Sequence, residues 1–292
     1  MLERRPFGST DLNVSIVGLG AGQIGESDVT EAEASEVLNG ALDLGVTLID
    51  TANSYGLSEE RIGRHLGRRR NEFVLSTKGG HGINGEPDWS SGSVLASIER
   101  SLRLTRSERI DIFFLHSCPV EILRRGELQE TLDEAVAAGK IGVAGYSGDN
   151  EPLAFALESG RFGAVETSVN IADQWNLRNL LSDYPGPGVI AKRPIANAPW
   201  RFRERPTGHY ADLYWQRLQL LDLDPGELDW AELALRFTVY APGVHTAIAG
   251  TAKLDHLRRN VSAASRGPLP AATLERIDRA WRGVGSDWPA ST

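Results

Sequence analysis

RIDIFFLHSCPVEILRRGELQETLDEAVAAGKIGVAGYS, Arg109 to Ser147, sets the rhythm of the whole chain. The apolar run Arg109–His116 reads as a strand. Glu127–Ala138 has helical spacing with Gly139 as a plausible stop, and Ile141–Ser147 reads as the next strand. A strand, a helix and a second strand in that order call for parallel pairing through a right-handed crossover.

The same alternation extends in both directions. Strands are predicted at VSIVGL (Val14–Leu19), VTLID (Val46–Asp50), FVLSTK (Phe73–Lys78), AVETSVN (Ala164–Asn170), GVIAK (Gly188–Lys192) and HTAIAG (His245–Gly250). Helices are predicted over Glu31–Leu44, Ser58–Leu66, Ser91–Leu104, Glu151–Ser159, near Trp175–Leu181, over Leu228–Tyr240 and over Leu254–Ala263. Thr30 and Glu33 form a T-x-x-E capping box at the first of them, and Gly160 ends the helix before it. Pro194–Pro225 is a long stretch containing Pro, Arg and Trp. Eight strand–helix units without a composition break fit a single closed (β/α)8 barrel over 1–292. A last helix, Ala272–Trp281, lies outside the repeat, and 264–292 is expected to pack on the barrel as an extension. A doubly wound open sheet is the rival architecture, because it has the same alternation.

Composition narrows the function classes. The 292 residues carry a formal net charge of -8, and 41% are hydrophobic and 24% charged, as in a soluble globular protein. That acidity disfavours a nucleic-acid partner. One cysteine, Cys118, permits no intrachain disulfide and no cysteine metal cluster. The histidines are scattered, so no metal is expected. MLERRPFGSTDL at the start lacks the apolar core of a signal peptide, and no apolar run approaches the ~20 residues of a membrane helix. A cytoplasmic protein without a membrane partner is expected.

Gly20-Ala21-Gly22-Gln23-Ile24-Gly25 matches the G-x-G-x-x-G dinucleotide fingerprint. That fingerprint needs a helix starting at the glycines, so that its N-terminus meets a pyrophosphate. The capping box instead starts the helix after Thr30, and Glu26 and Asp28 would place carboxylates beside the phosphate. A glycine-rich turn at a strand end is the favoured reading, with a Rossmann dehydrogenase as the rival.

LIDTANSYG (Leu48–Gly56) with SEE (Ser58–Glu60), VLSTKGG (Val74–Gly80), IDIFFLHS (Ile110–Ser117) and AIAGTAKLDHLRRN (Ala247–Asn260) together resemble the aldo-keto reductase family, in order and spacing from about Phe7 to Asn260. The resemblance implies an NADP-dependent oxidoreductase that moves a hydride between NADPH and a small carbonyl or alcohol substrate. It implies a catalytic tetrad of Asp50, Tyr55, Lys78 and His116, with Tyr55 as general acid/base. The chemistry accounts for the residue types. A phenol with a pKa of about 10 is a poor acid near neutrality, and a neighbouring ammonium lowers it. Asp50 can hold Lys78 charged, and His116 can donate a hydrogen bond to the carbonyl oxygen. Singly, each residue also has an ordinary explanation as a turn cap, a strand end, loop packing or a core histidine.

The resemblance also implies cofactor contacts at Ser147, Glu166, Asn170, Gly250, Thr251, Lys253, His256 and Asn260. Thr251 and Lys253 fall at a 2'-phosphate site, which favours NADPH over NADH. Departures are visible. Gly148 stands where asparagine is usual and Glu166 where glutamine is common. Lys192 stands where an aromatic residue often stacks on the nicotinamide, so a phosphate or a substrate anion is the expected partner of Lys192 or Arg193. These departures keep open an NADPH-binding regulatory protein of the same fold with little turnover. Gln23, Trp89 and Trp200 are the expected substrate-binding residues. The physiological substrate and the oligomeric state are not readable.

Overall fold

The computed structural model describes residues 2–181 and 186–292; Met1 and 182–185, which the single-domain expectation includes, lie outside them. Two short antiparallel strands, β1 (Arg4–Pro6) and β2 (Asn13–Ser15), precede the main sheet. Eight parallel strands follow: β3 (Val17–Gly20), β4 (Leu48–Asp50), β5 (Val74–Gly79), β6 (Ile110–His116), β7 (Ile141–Ser147), β8 (Ala164–Ser168), β9 (Gly188–Lys192) and β10 (Thr246–Gly250). They close in the order β10-β3-β4-β5-β6-β7-β8-β9, so β3 pairs with β10 and no open edge is left. The barrel, not the open sheet, is the fold.

The helices are α1 (Glu31–Asp43), α2 (Ser58–Leu66), α3 (Ser91–Thr105), α4 (Val120–Leu123), α5 (Glu127–Ala137), α6 (Asn150–Ser159), α7 (Asp212–Leu221), α8 (Trp230–Val239), α9 (Leu254–Ala264) and α10 (Ala271–Val284). The Thr30/Glu33 capping box forms as expected, and Gly160 adopts a left-handed conformation after α6. Four local expectations change. Val14–Leu19 is divided, because Ser15 Oγ turns to bond Val17 O and the backbone N–H of Ser15 bonds Thr47 Oγ1. The helix near Trp175–Leu181 becomes a π-helical turn over Leu177–Leu181. The stretch Pro194–Pro225 contains α7. The last helix runs from Ala271 to Val284.

The period of two along each strand explains where the polar groups go. Leu48, Ile112, Phe114, Ala164, Ile190 and Ile248 point into the barrel and pack with Phe7 and Val14 from the hairpin side. Their odd-numbered neighbours on β6, Phe113 and Leu115, join the larger cluster under the helices. Gly145 makes room for this layer: a Cβ there would stand 2.4 Å from Phe114 Cδ1. Two residues further along the same faces come Asp50, His116, Glu166, Lys192 and Gly250. Lys78 and Ser147 lie four beyond Val74 and Val143. The apolar layer thus forms the floor on which the polar residues stand, at the C-terminal ends of the strands.

α10 packs back on this framework. Trp281 is buried edge-on against Trp288, and Asp278 pairs with Arg178 at 2.8 Å. The segment after it reaches the barrel mouth, where Ser291 N donates to Asp173 Oδ2 and Ser291 O accepts from Arg193.

Candidate active site

Lys78 is fully buried at the end of β5. Its Nζ donates to Asp50 Oδ2 at 2.5 Å and to Thr51 O at 3.0 Å, while Asp50 Oδ1 accepts from Ser76 Oγ at 2.6 Å. Burial alone would disfavour the ammonium, but Asp50 and Glu166 outweigh it and push the Lys78 pKa up. Lys78 is therefore a permanent cation.

Tyr55 lies above this cation, with Lys78 Nζ 5.4 Å from its ring centroid. The loop that carries it is fixed from below. Asn53 N donates to Lys78 O, and buried Glu59 accepts from Asn53, Thr77 and Ser101 through Oε1 and from Arg100 through Oε2. Glu59 thus ties the Tyr55 loop to the strand bearing Lys78. Gly25 and Gly22 support the other side: a Cβ on Gly25 would stand 1.8 Å from Tyr55 O, and one on Gly22 3.6 Å from the Tyr55 ring. Arg61 closes this wall through hydrogen bonds to the carbonyls of Ile24, Glu26 and Val29. The G-x-G-x-x-G pattern is the close packing of a turn against the tyrosine, and α1 begins only at Glu31.

The Tyr55 phenol is not acidified overall. Lys78 draws its pKa down, but burial and the charges of Asp50 and Glu166 more than offset that, raising it to about 12. The lowering expected from Lys78 is present and outweighed.

The His116 ring stands edge-on to Tyr55 with centroids 5.9 Å apart. Burial first, then the cations of Lys78 and Lys192 and the ring of His81, depress its pKa to about 3. His116 is thus a neutral ring at physiological pH, able to donate a hydrogen bond through one N–H. Stability depends on this. Between about pH 6.5 and 3 the unfolded chain protonates this histidine while the folded one does not, so stability falls as pH drops through that window. Replacing His116→Gln is expected to remove about 2 kcal/mol of the stability lost between pH 7 and pH 4, a value discounted for the partly exposed ring. Urea unfolding at the two pH values measures it; equal acid sensitivity in both proteins would refute it.

The residues expected to meet a cofactor divide into two groups. His116, Ser147 and Glu166 sit in one register row across β6, β7 and β8. Ser147 Oγ donates to Glu166 Oε1 at 3.3 Å, and Glu166 Oε2 stands 3.1 Å from Lys78 Nζ without a hydrogen-bond partner. Gly148 has a steric reason: a Cβ would meet the buried Tyr146 hydroxyl at 2.4 Å, and that hydroxyl is bonded to Cys118 O. Asn170 is engaged locally, accepting from Ala172 N and donating to Arg193 O. Lys192 pairs with Asp149 at 2.9 Å. Arg193 donates to Tyr210 Oη at 2.7 Å and to Ser291 O at 2.9 Å.

Next to β9, where β10 meets β3, Gln23 lies against Gly250, whose Cβ would stand 2.4 Å from Gln23 Oε1. Thr251 Oγ1 accepts from Lys253 N at 3.0 Å and meets His256 Nδ1 at 3.4 Å. Lys253 is the exposed residue before α9, and its neighbours Asp255 and Arg258 pair with each other. Asn260 lies two turns on, half-buried. Trp89 is brought to the tetrad side: its ring is 5.3 Å from that of His81, which is 5.5 Å from His116. Trp200 is not brought there by these contacts; it stacks on Trp230 at 5.9 Å.

Sequence reasoning missed four residues. His81 comes three positions after Lys78, a signal that could have marked it. Glu59 was within the quoted SEE motif without a role. Asp149 follows the β7 end by two residues. Tyr210 comes from the stretch before α7 and carried no sequence signal.

These features define an oxidoreductase-type barrel, and a family comparison agrees: the Aldo/keto reductase family model matches residues 16–282, and the chain belongs to that family. Among its relatives, L-glyceraldehyde 3-phosphate reductase of Escherichia coli (strain K12) is 26% identical over 95% of this chain and 92% of its own length. The uncharacterized oxidoreductase YqkF of Bacillus subtilis is 25% identical over 94% of this chain and 95% of its own. Aldo-keto reductase AKR11C1 from Bacillus halodurans, in its holo form, superposes with a TM-score of 0.82 at 26% identity, covering 96% of both chains. An aldo-keto reductase from Klebsiella pneumoniae, solved in complex with NADPH, shares the fold with a TM-score of 0.77 at 24% identity, covering 100% of this chain and 99% of that one. Among the described residues, no helix is long and apolar enough to cross a membrane.

Proposed function

We propose that this protein reduces an aldehyde or ketone with NADPH, and that Tyr55 delivers the proton. The observation that carries this is the buried Asp50–Lys78 pair beneath Tyr55, with a neutral His116 edge-on to it. NADPH, when bound, supplies the hydride to the carbonyl carbon. The carbonyl oxygen then takes the Tyr55 proton, giving the alcohol and a phenolate that Lys78 stabilises. His116, neutral, aligns that oxygen through an N–H and does not compete as the acid. One barrel domain over 1–292 performs this, with 264–292 as its packed extension.

The residues present fit the dinucleotide at two places. Glu166 Oε2 is buried, faces the Lys78 ammonium at 3.1 Å and accepts no aligned hydrogen bond, so it is suited to a carboxamide N–H2, with Ser147 beside it. After β10 the exposed ammonium of Lys253, with Thr251, precedes a helix N-terminus and suits a 2'-phosphate. Lys253→Glu is expected to raise the NADPH Kd by about tenfold or more and to leave NADH little changed. Fluorescence titration of both nucleotides tests this, and an equal loss for both would assign Lys253 elsewhere.

Absorbance at 340 nm with NADPH and a panel of aldehydes and ketones tests the function itself. Turnover with at least one carbonyl is the expected result. A nucleotide that binds yet is never oxidised by any carbonyl would make the protein an NADPH-binding regulator.

A further inference from the structure

Glu166 points into the barrel from β8 and is 2% exposed. Its Oε2 stands 3.1 Å from the Lys78 ammonium that Asp50 already holds at 2.5 Å. One buried cation therefore faces two buried carboxylates. With both ionised the cluster carries a net negative charge, where a glutamine at 166 would leave it neutral. The strain on Asp50 agrees: burial and then the Glu166 charge lift its pKa to about 7.

The other charged or titratable groups around Tyr55 do not cancel this charge. His116 from β6 is neutral. Lys192 from β9 is matched by Asp149. His81 follows β5 and meets the site through His116. Tyr210 comes from the segment before α7 and opposes ionisation of Tyr55, as Asp50 and Glu166 do. Glu166 is the unbalanced charge, contributed by a strand on the far side of the barrel mouth from the loop that carries Tyr55.

We propose that Glu166 is a positioning residue acting through Lys78: as a second anion on that lysine it weakens the pull of the ammonium on Tyr55 and so sets the alkaline limit of carbonyl reduction, the pH at which the phenol proton is lost. This rests on the role of Tyr55 proposed above. Carbonyl reduction consumes the phenol proton, so a negative charge that holds this proton to higher pH extends the range over which reduction runs.

The test compares wild type with Glu166→Gln, Glu166→Met and Glu166→Asp. Protein labelled with 13C at tyrosine Cζ reports the Tyr55 titration by NMR without turnover, the Tyr55 signal being identified by its loss in Tyr55→Phe. The midpoint is expected to fall by about one unit in the glutamine and methionine variants and to stay near wild type in the aspartate variant. The alkaline limb of the pH profile for carbonyl reduction should move down by about one unit with it. Glu166→Met removes the amide acceptor and is expected to weaken NADPH binding, read by fluorescence quenching; the Tyr55 midpoint, read without nucleotide, is independent of that loss. An unmoved Tyr55 midpoint, with or without weakened NADPH binding, would overturn the inference; with weakened binding, Glu166 serves the cofactor amide alone. Turnover retained in Tyr55→Phe would instead bring down the underlying assignment. The methionine variant keeps the test open if the glutamine variant does not fold.

Discussion

Tyr55→Phe is expected to bind NADPH as wild type does and to lose carbonyl reduction by about a thousandfold, within the range that a positioned proton donor contributes. The substitution removes one hydroxyl and leaves the ring. The ring's contacts, edge-on to His116 and above Lys78, are apolar or electrostatic and survive. The loop itself is held by Glu59, Gly25 and Arg61, none of which touches the hydroxyl. Structure and nucleotide affinity should therefore persist while the proton source disappears. Neutral His116 cannot substitute, because its pKa of about 3 leaves almost no imidazolium at pH 7. Single-turnover loss of absorbance at 340 nm measures the step, and residual turnover within tenfold of wild type would place the acid elsewhere.

Lys78→Met should have the second large effect, and on two observables. It removes the cation that stabilises the Tyr55 phenolate, so reduction should fall by about a hundredfold or more. It also leaves Asp50 and Glu166 facing one another with no ammonium between them. Breaking a buried pair from one side costs about 3–5 kcal/mol, and here two carboxylates are orphaned at once. The pH dependence has a definite sign. Asp50 already titrates well above an unfolded aspartate, and without Lys78 it moves higher still. Groups whose folded pKa is raised destabilise the fold as pH climbs from the unfolded value through the folded one. The variant should therefore be weakest near pH 8 and recover toward pH 5. Urea midpoints across that range test it, and a loss of stability independent of pH would show that the carboxylates are not the cause.

The barrel was legible because its strands end in turn signals and its helices carry their own caps; the Thr30/Glu33 box and Gly160 stand where the chain placed them. Three members of the proposed tetrad, Asp50, Lys78 and His116, were legible as interior residues just past an apolar layer, a position that period-two alternation fixes. Other features depend on distant chain. β1 carries two arginines and a proline and is a strand only through its pairing with β2. α7 is hidden in a stretch rich in arginine and proline. The Lys192–Asp149 pair and the Glu166–Lys78 approach join residues whose separation in sequence gives no hint of contact. The net direction of the Tyr55 shift follows from that approach, so no reading of single residues could have supplied it.

Arg61 and Tyr210 bracket the barrel mouth unequally. One wall is bolted down by a buried guanidinium on three carbonyls. The wall beyond β9 presents Tyr210, 66% exposed, held by Arg193. Altering the first wall disturbs the loop that carries Tyr55, whereas the second is attached at Tyr210 through one exposed side chain. Sequence change is therefore better tolerated at Tyr210 than at Arg61.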